Sequence, residues 1–299
     1  MRVRSVAALS ILLLGAGCSG GGGPATAGAM IPSPRFVQNA VSHEAASVVG
    51  PHASNVTVVI MENRDYKLVV GNAQAPFLNK TLIPQGALLL NSHAVTHPSQ
   101  PNYLALFSGS TQGISDDSCP HTFSTKNLGS ELIAAGKTFT GYSESMPSNG
   151  YTGCATTLYA RKHAPWVNFT NIPASDNVVY HGFPAVPPSF AWITPNLCHD
   201  MHDCSTKTGD NWLKANLPPI IAWNATHNGL LILTWDEADP DNNGSNRIAT
   251  VFVGPMVTAH VSQNERINHY NVTHTIETIF GLACIAKDCG AGDVTGIWH

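Results

Sequence analysis

The sequence predicts an α/β fold with a mostly parallel central sheet and helices on both of its faces. Three observations support this. Short apolar, β-branched runs alternate along the chain with stretches that carry helix start and stop signals. The strand-like runs are apolar without alternation, as strands covered on both faces must be. Polar clusters also follow one strand candidate after another. Residues 56–61 (VTVVIM) form the first buried strand, a helix is expected over 75–82, and 87–90 form a second strand. A helix entered through prolines runs over 101–107, and another over 127–135 is closed by Gly136. Residues 138–142, 190–194, 230–235 and 248–253 give further strands. A helix over 210–217 is expected to break at Pro218 and Pro219, and a late amphipathic helix over 272–280 ends at Gly281.

The chain has 299 residues, enough for a substantial core, and is 43% hydrophobic, which excludes wholesale disorder. Only 11% of residues are charged. With 15 Lys and Arg against 19 Asp and Glu, the net charge is −4, too little positive charge for an extended nucleic-acid face. The 26 glycines and 20 prolines exclude a coiled coil, and 14 histidines stand out in so weakly charged a chain.

Residues 1–18 read as an export signal: Arg2 and Arg4, a short apolar run over 6–14, then small residues up to Cys18. The run is too short to span a bilayer. Cys18 followed by Ser19 and a glycine run resembles a lipoprotein signal, so a membrane anchor at Cys18 is expected; the alternative is ordinary cleavage near residues 25–29. No second transmembrane segment appears. Residues 19–54, rich in Gly, Ala, Pro and Ser, form a flexible linker, and residues 55–299 form the globular domain. The expected location is the periplasm or cell surface, or free secretion. Six cysteines remain after Cys18, an even number that suits disulfides in an oxidising compartment. Close spacing favours Cys198–Cys204 and Cys284–Cys289, leaving Cys119 with Cys154, although fifteen connectivities are possible. No Cys-x-x-Cys pair suggests a metal.

In open parallel sheets, ligands bind beyond the carboxyl ends of the strands. Glu62 and Asn63 follow the first strand. His93, Thr96, His97 and Ser99 follow the second. Asn196, His199, Asp200, His202 and Asp203 follow the strand over 190–194, and Asp236, Glu237 and Asp239 follow that over 230–235. One such Asp-Glu pair is usually a solvated loop, but four clusters in register point to a site. Glu62, Asn63, Asp236 and Glu237 offer oxygens to a divalent cation, without which the carboxylates would raise one another's pKa. Ser99 sits at a helix start, where backbone N–H groups favour a bound anion, although a lone serine there is usually just an N-cap.

Five motifs then occur in order: Met61-Glu62-Asn63-Arg64; the stretch from His97-Pro98-Ser99-Gln100-Pro101-Asn102 to Gly109; Tyr159-Ala160-Arg161-Lys162-His163 through Trp166; Asp200-Met201-His202-Asp203; and Thr234-Trp235-Asp236-Glu237. Together they resemble the bacterial phosphoesterase family of secreted acid phosphatases and phosphatidylcholine-type phospholipases C, over residues 55–298. The resemblance implies an alkaline-phosphatase-like fold in which Ser99, with Thr96 as alternative, attacks phosphorus beside a bound divalent metal. It implies metal ligands at Glu62, Asn63, Asp236 and Glu237, with His269 before the last helix as a further one. It implies His202 as the acid at the leaving group, with Asp200 or Asp203 beside it, and substrate contacts from Asn102, Arg161, Lys162 and His163. Sulfatases of this fold carry an Arg after the x-Pro-x step, whereas Tyr103 stands here. The His-Gly-Gly run of many phospholipases C is replaced by Ala238-Asp239-Pro240, which favours monoesters. The expected substrate is a phosphorylated small molecule or a phospholipid, with no nucleic acid and no protein partner. The rival readings are a diesterase and a non-catalytic surface lipoprotein.

Overall fold

A computed structural model of the chain describes residues 51–239 and 244–299. The expected signal, Cys18 and the linker up to residue 50 lie outside the described residues. Nine strands form one sheet: β1 (Asn55–Met61), β2 (Ala87–His93), β3 (Phe139–Ser143), β4 (Asn177–Val179), β5 (Phe190–Thr194), β6 (Gly229–Trp235), β7 (Arg247–Val253), β8 (Val261–Gln263) and β9 (Ile267–Asn268). Their order is β4-β3-β5-β1-β6-β7-β2-β8, with β9 also paired to β2. Every pairing is parallel except those of β7, which runs antiparallel to both β6 and β2. The carboxyl ends of β1, β2, β5 and β6 therefore share one edge, and the reversed β7 begins at that same edge.

The helices are α1 (Tyr66–Val69), α2 (Ser99–Ser108), α3 (Leu128–Ala134), α4 (Thr206–His227) and α5 (His269–Phe280). Side chains alternate along β1, so its apolar run feeds two cores. Val56, Val58 and Ile60 face the layer containing Leu104, Phe107, Leu132 and Ile276, from α2, α3 and α5. Val59 and Met61 face Val69, Leu213, Leu217 and Ile220, from α1 and α4. This double cover is why the strand lacks alternation. Helix α2 is buried along its whole length and ends at Gly109, whose φ is +60°; a Cβ there would lie 2.1 Å from the Ile285 carbonyl oxygen.

Two local expectations are corrected. The helix expected over 75–82 is one wide turn (Leu78–Leu82) followed by a tight one (Ile83–Gln85), and the Phe77 and Leu78 N–H groups donate to the buried Asp210 carboxylate. Helix α4 does not break at Pro218 and Pro219. Both prolines are exposed, as are Lys214 and Ala215, whose carbonyls lose their donors. Water can reach those carbonyls, while Leu213, Leu217 and Ile220 anchor the opposite face. The short strands β4, β8 and β9 carry too few residues for a sequence signal. The disulfides are Cys119–Cys154, Cys198–Cys204 and Cys284–Cys289, the pairing that spacing favours.

Candidate active site

The loop after β2 is built around Asn102. Its side-chain oxygen accepts from the Val95 and Thr96 N–H groups, and its amide donates to the carbonyls of Thr96 and Pro98. All of its polar capacity goes into folding residues 95–98 over the start of α2, so it shapes the loop before Ser99 and is not aimed at a ligand. Ser99, the first residue of α2, is thereby held at the sheet edge.

Around the Ser99 hydroxyl stand Glu62 Oε2 at 3.0 Å, Glu237 Oε1 at 3.2 Å and Asn63 Oδ1 at 3.4 Å. One hydroxyl proton serves only one of them at a time. Asn63 has φ of +43° at the end of β1, and its N–H donates to Asp236 Oδ1 at 3.1 Å. Main-chain bonds from Glu62 N to the Asp200 oxygen and from Asp236 N to the Met61 oxygen extend the sheet into the site. Glu62, Asn63, Ser99, Asp236 and Glu237 thus meet from three different strand ends.

The carboxyls are crowded and dry. Burial, then the nearby Asp236, pushes Glu62 up to about 8. Burial, then Glu62, pushes Glu237 up to about 8. Burial followed by Glu237 raises Asp236 well above the carboxylate range, and burial raises Asp200 to about 7. Asp236 Oδ2 is buried without a hydrogen-bond donor, and Glu62 Oε1 and Asp200 Oδ2 have only His163 near them, at 3.1 and 3.5 Å and off hydrogen-bond geometry. Three carboxylates, an amide oxygen and orphaned acceptors make a hard-oxygen donor set that fits a divalent cation. Among the described residues, the trio of His, Cys, Asp or Glu donor atoms converging within 4.8 Å is Cys284, Asp288 and Cys289, whose sulfurs are locked in a disulfide. The Glu62, Asp236 and Glu237 oxygens are spread wider, around the serine.

A ring of basic groups surrounds this cluster. His163 is buried between Glu62 (Nε2 to Oε1, 3.1 Å) and Asp200 (Nδ1 to Oδ2, 3.5 Å) and stacks on Tyr103. Burial pushes its imidazole down to about 4, against the pull of Glu62. His202 lies with its ring 6.2 Å from that of His163, its Nδ1 2.6 Å from Asp203 and its N–H donated to Asp200 Oδ1. Lys162 Nζ donates to Asp117 Oδ2 at 2.8 Å, and Asp117 Oδ1 accepts from the Gln100 N–H at 2.9 Å. Burial pulls the Lys162 ammonium down, but Glu62, Asp117 and Asp236 outweigh it and its pKa is raised. His97 bonds Glu237 Oε2 through Nδ1.

Three more expected residues, besides Asn102, play other parts here. Arg161 spends its guanidinium on Asn168 Oδ1 and the carbonyls of Thr152, His121 and Val167, pinning loops behind the site. His269 donates from Nε2 to the Asp236 main-chain oxygen at 2.6 Å, bracing the acidic loop through its backbone. Thr96 is partly exposed and its hydroxyl donates to the His97 carbonyl oxygen, while Ser99 holds the centre. Two residues at the site had no role assigned from the sequence, although His97 stood in the polar cluster after the second strand. His97 was legible by its place two residues before Ser99; Asp117 has no sequence signal.

Comparison with known proteins decides the family. The Phosphoesterase family model matches residues 72–283. The chain belongs to the Phosphoesterase family. A phosphatidylinositol-3-phosphatase of Mycobacterium tuberculosis is 43% identical over 257 residues, which span 83% of this chain and 84% of that protein. A phosphate-repressible acid phosphatase of Penicillium chrysogenum is 29% identical, over 77% of this chain and 60% of that protein. An acid phosphatase of Aspergillus fumigatus is 30% identical, over 78% of this chain and 56% of that protein. The chain therefore spans less than two thirds of these fungal relatives. A Vibrio parahaemolyticus protein of the alkaline phosphatase superfamily shares the fold, with a TM-score of 0.58 and 10% identity, over 82% of this chain and 71% of that one. This member of the Phosphoesterase family is a phosphoric ester hydrolase, which sets aside the non-catalytic reading.

Proposed function

We propose that this phosphoesterase is an exported acid phosphatase that hydrolyses phosphate monoesters by way of a phosphoserine at Ser99. The observation that carries this reading is the serine hydroxyl ringed by Glu62, Asn63 and Glu237, beside carboxylate oxygens left without donors. A divalent cation bound by Glu62, Asn63, Asp236 and Glu237 would supply Lewis-acid polarisation of the phosphoryl oxygens. The chain's own residues do the rest. A buried carboxylate takes the Ser99 proton as the oxygen attacks phosphorus in line. Lys162 offsets the negative charge carried by the phosphoryl group. His202, half-exposed at the rim and paired with Asp203, gives a proton to the leaving alkoxide and then takes one from the incoming water.

The 43% identical relative carries the name of a phosphatase for an inositol lipid, so a phosphorylated lipid headgroup joins small phosphomonoesters as a candidate substrate. Export, with Cys18 as lipid anchor, belongs to the same reading. Three disulfides suit an oxidising compartment. Among the described residues, no helix is long and apolar enough to cross a membrane.

The test is turnover of para-nitrophenyl phosphate and of its choline diester by the wild type and by Ser99→Ala. The monoester should be the better substrate, and the variant should stay folded but lose turnover by about a thousandfold or more. A variant that keeps its activity would remove Ser99 as nucleophile. Preference for the diester would favour the phospholipase reading.

A further inference from the structure

A cavity lies at the same sheet edge, where β7 begins. Its volume is about 190 Å³, and it is lined by Asp65, Tyr66, Lys67, Gly244, Ser245 and Arg247. It is joined to the nucleophile loop through Asn246, which sits between two of its lining residues. The Asn246 amide donates to the Thr96 carbonyl at 2.8 Å, its side-chain oxygen accepts from Ala238 N at 2.9 Å, and its own carbonyl accepts from Ala94 N. On the other wall, Asp65 comes two residues after Asn63 and acts electrostatically on His97, the partner of Glu237. The reversed direction of β7 is what brings Arg247, its first residue, to this edge.

Among the described residues, the cations in the cavity, Arg247 and Lys67, have no carboxylate within salt-bridge distance. The Arg247 guanidinium lies over the Tyr66 ring, 3.8 Å from its centroid, and its Nε is buried without an acceptor. A guanidinium stacked on an aromatic ring is fixed in orientation and presents its remaining N–H groups as a fork suited to phosphate. Asp65, two residues beyond Asn63 in the chain, offers the cavity a carboxylate that accepts hydrogen bonds.

From this arrangement we infer that the cavity is a leaving-group subsite: Arg247 and Lys67 bind a second phosphate on the substrate, and Asp65 accepts from a hydroxyl between the two phosphates. The inference rests on the proposed attack at Ser99 and adds the substrate class, a phosphorylated polyol that carries another phosphate. That chemistry is found both in soluble sugar bisphosphates and in the headgroup of an inositol phospholipid, whose diester would be the second phosphate.

The test uses matched pairs. The soluble pair is fructose 1,6-bisphosphate and fructose 6-phosphate. The lipid-derived pair is dioctanoyl phosphatidylinositol 3-phosphate and inositol 3-phosphate. In the wild type, the member with the second phosphate should have a kcat/KM higher by roughly tenfold or more, the usual size of a charge-assisted contact. A preference in the first pair alone identifies a soluble substrate, and in the second alone a lipid headgroup. In Arg247→Gln and in Lys67→Gln, the ratio within the preferred pair should fall toward one. Lys67 is exposed on α1, so its replacement keeps the test open should Arg247→Gln fail to fold. A wild-type ratio near one in both pairs, or a ratio unchanged in both variants, would overturn the inference. Calorimetric binding of both pairs to Ser99→Ala gives the same readout without turnover. Preferential binding of the bisphosphorylated member, abolished in Ser99→Ala/Lys67→Gln, sustains the subsite even if the reaction scheme fails, and equal binding rejects it.

Discussion

The buried carboxyls make the stability of the cation-free protein depend on pH in a calculable direction. An unfolded glutamate loses its proton near 4.5, while folded Glu62 keeps its proton up to about 8. Between these values the folded chain holds a proton that the unfolded chain lacks, so stability falls as pH rises. The buried imidazoles His163 and His269, both pushed down to about 4, have the opposite sign below the ordinary histidine value of 6.5. The clean window is therefore pH 6.5 to 8. One proton over that window is worth about 2 kcal/mol, or roughly 4–8 °C in Tm for a domain of this size. Asp236 and Glu237 act in the same direction but share the same field, so their effects do not simply add. Scanning calorimetry of EDTA-treated protein across the window should show this fall, and Glu62→Gln should make it shallower, the remainder coming from Asp236, Glu237 and the separately buried Glu277, raised to about 9. Adding a divalent cation should raise Tm more at the upper end, where fewer protons compete for the oxygens. A chelated protein whose Tm is flat or rising, or a Glu62→Gln variant with the full wild-type slope, would refute the reasoning.

Further outcomes follow from the ring around the carboxyls. Asp117→Asn should lower kcat/KM by about tenfold, because a charge-assisted bond to Lys162 is lost; in a double-mutant cycle with Lys162→Ala the effects should be less than additive, and full additivity would separate the two residues. Arg161→Ala should lower Tm by several degrees, because the carbonyls of Thr152, His121 and Val167 and the Asn168 side chain lose their shared donor, yet leave the inhibition constant for inorganic phosphate within about twofold; a large rise in that constant would return Arg161 to the substrate. Replacing Cys198 and Cys204 by Ser should lower kcat several-fold with little change in far-ultraviolet dichroism, since that disulfide closes the loop bearing Asp200 and His202; unchanged kcat would show that the loop holds itself.

Some of the site could be read from one dimension because it lies directly after strands. Glu62 and Asn63 follow β1, and Asp236 and Glu237 follow β6. Parallel pairing of these two strands forces the four residues together whatever the rest of the chain does. Ser99 was marked by the prolines that frame the start of α2. The roles of Asn102, Arg161 and His269 were not legible, because a polar side chain near a motif looks the same whether it faces a ligand or a neighbouring carbonyl. Arg161 became a brace when residues 121, 152 and 167 folded around it.

What the sequence by itself determined was the layered α/β architecture, the edge where chemistry gathers and the composition of the acidic cluster, since these follow from local periodicity and from which residues end each strand. What only the tertiary structure decided was the direction of β7, the unbroken passage of α4 through two prolines, and the recruitment of Asp117, His97 and Arg247. These depend on hydrogen bonds and burial between segments far apart in the chain, whose energies exist only once the sheet has closed.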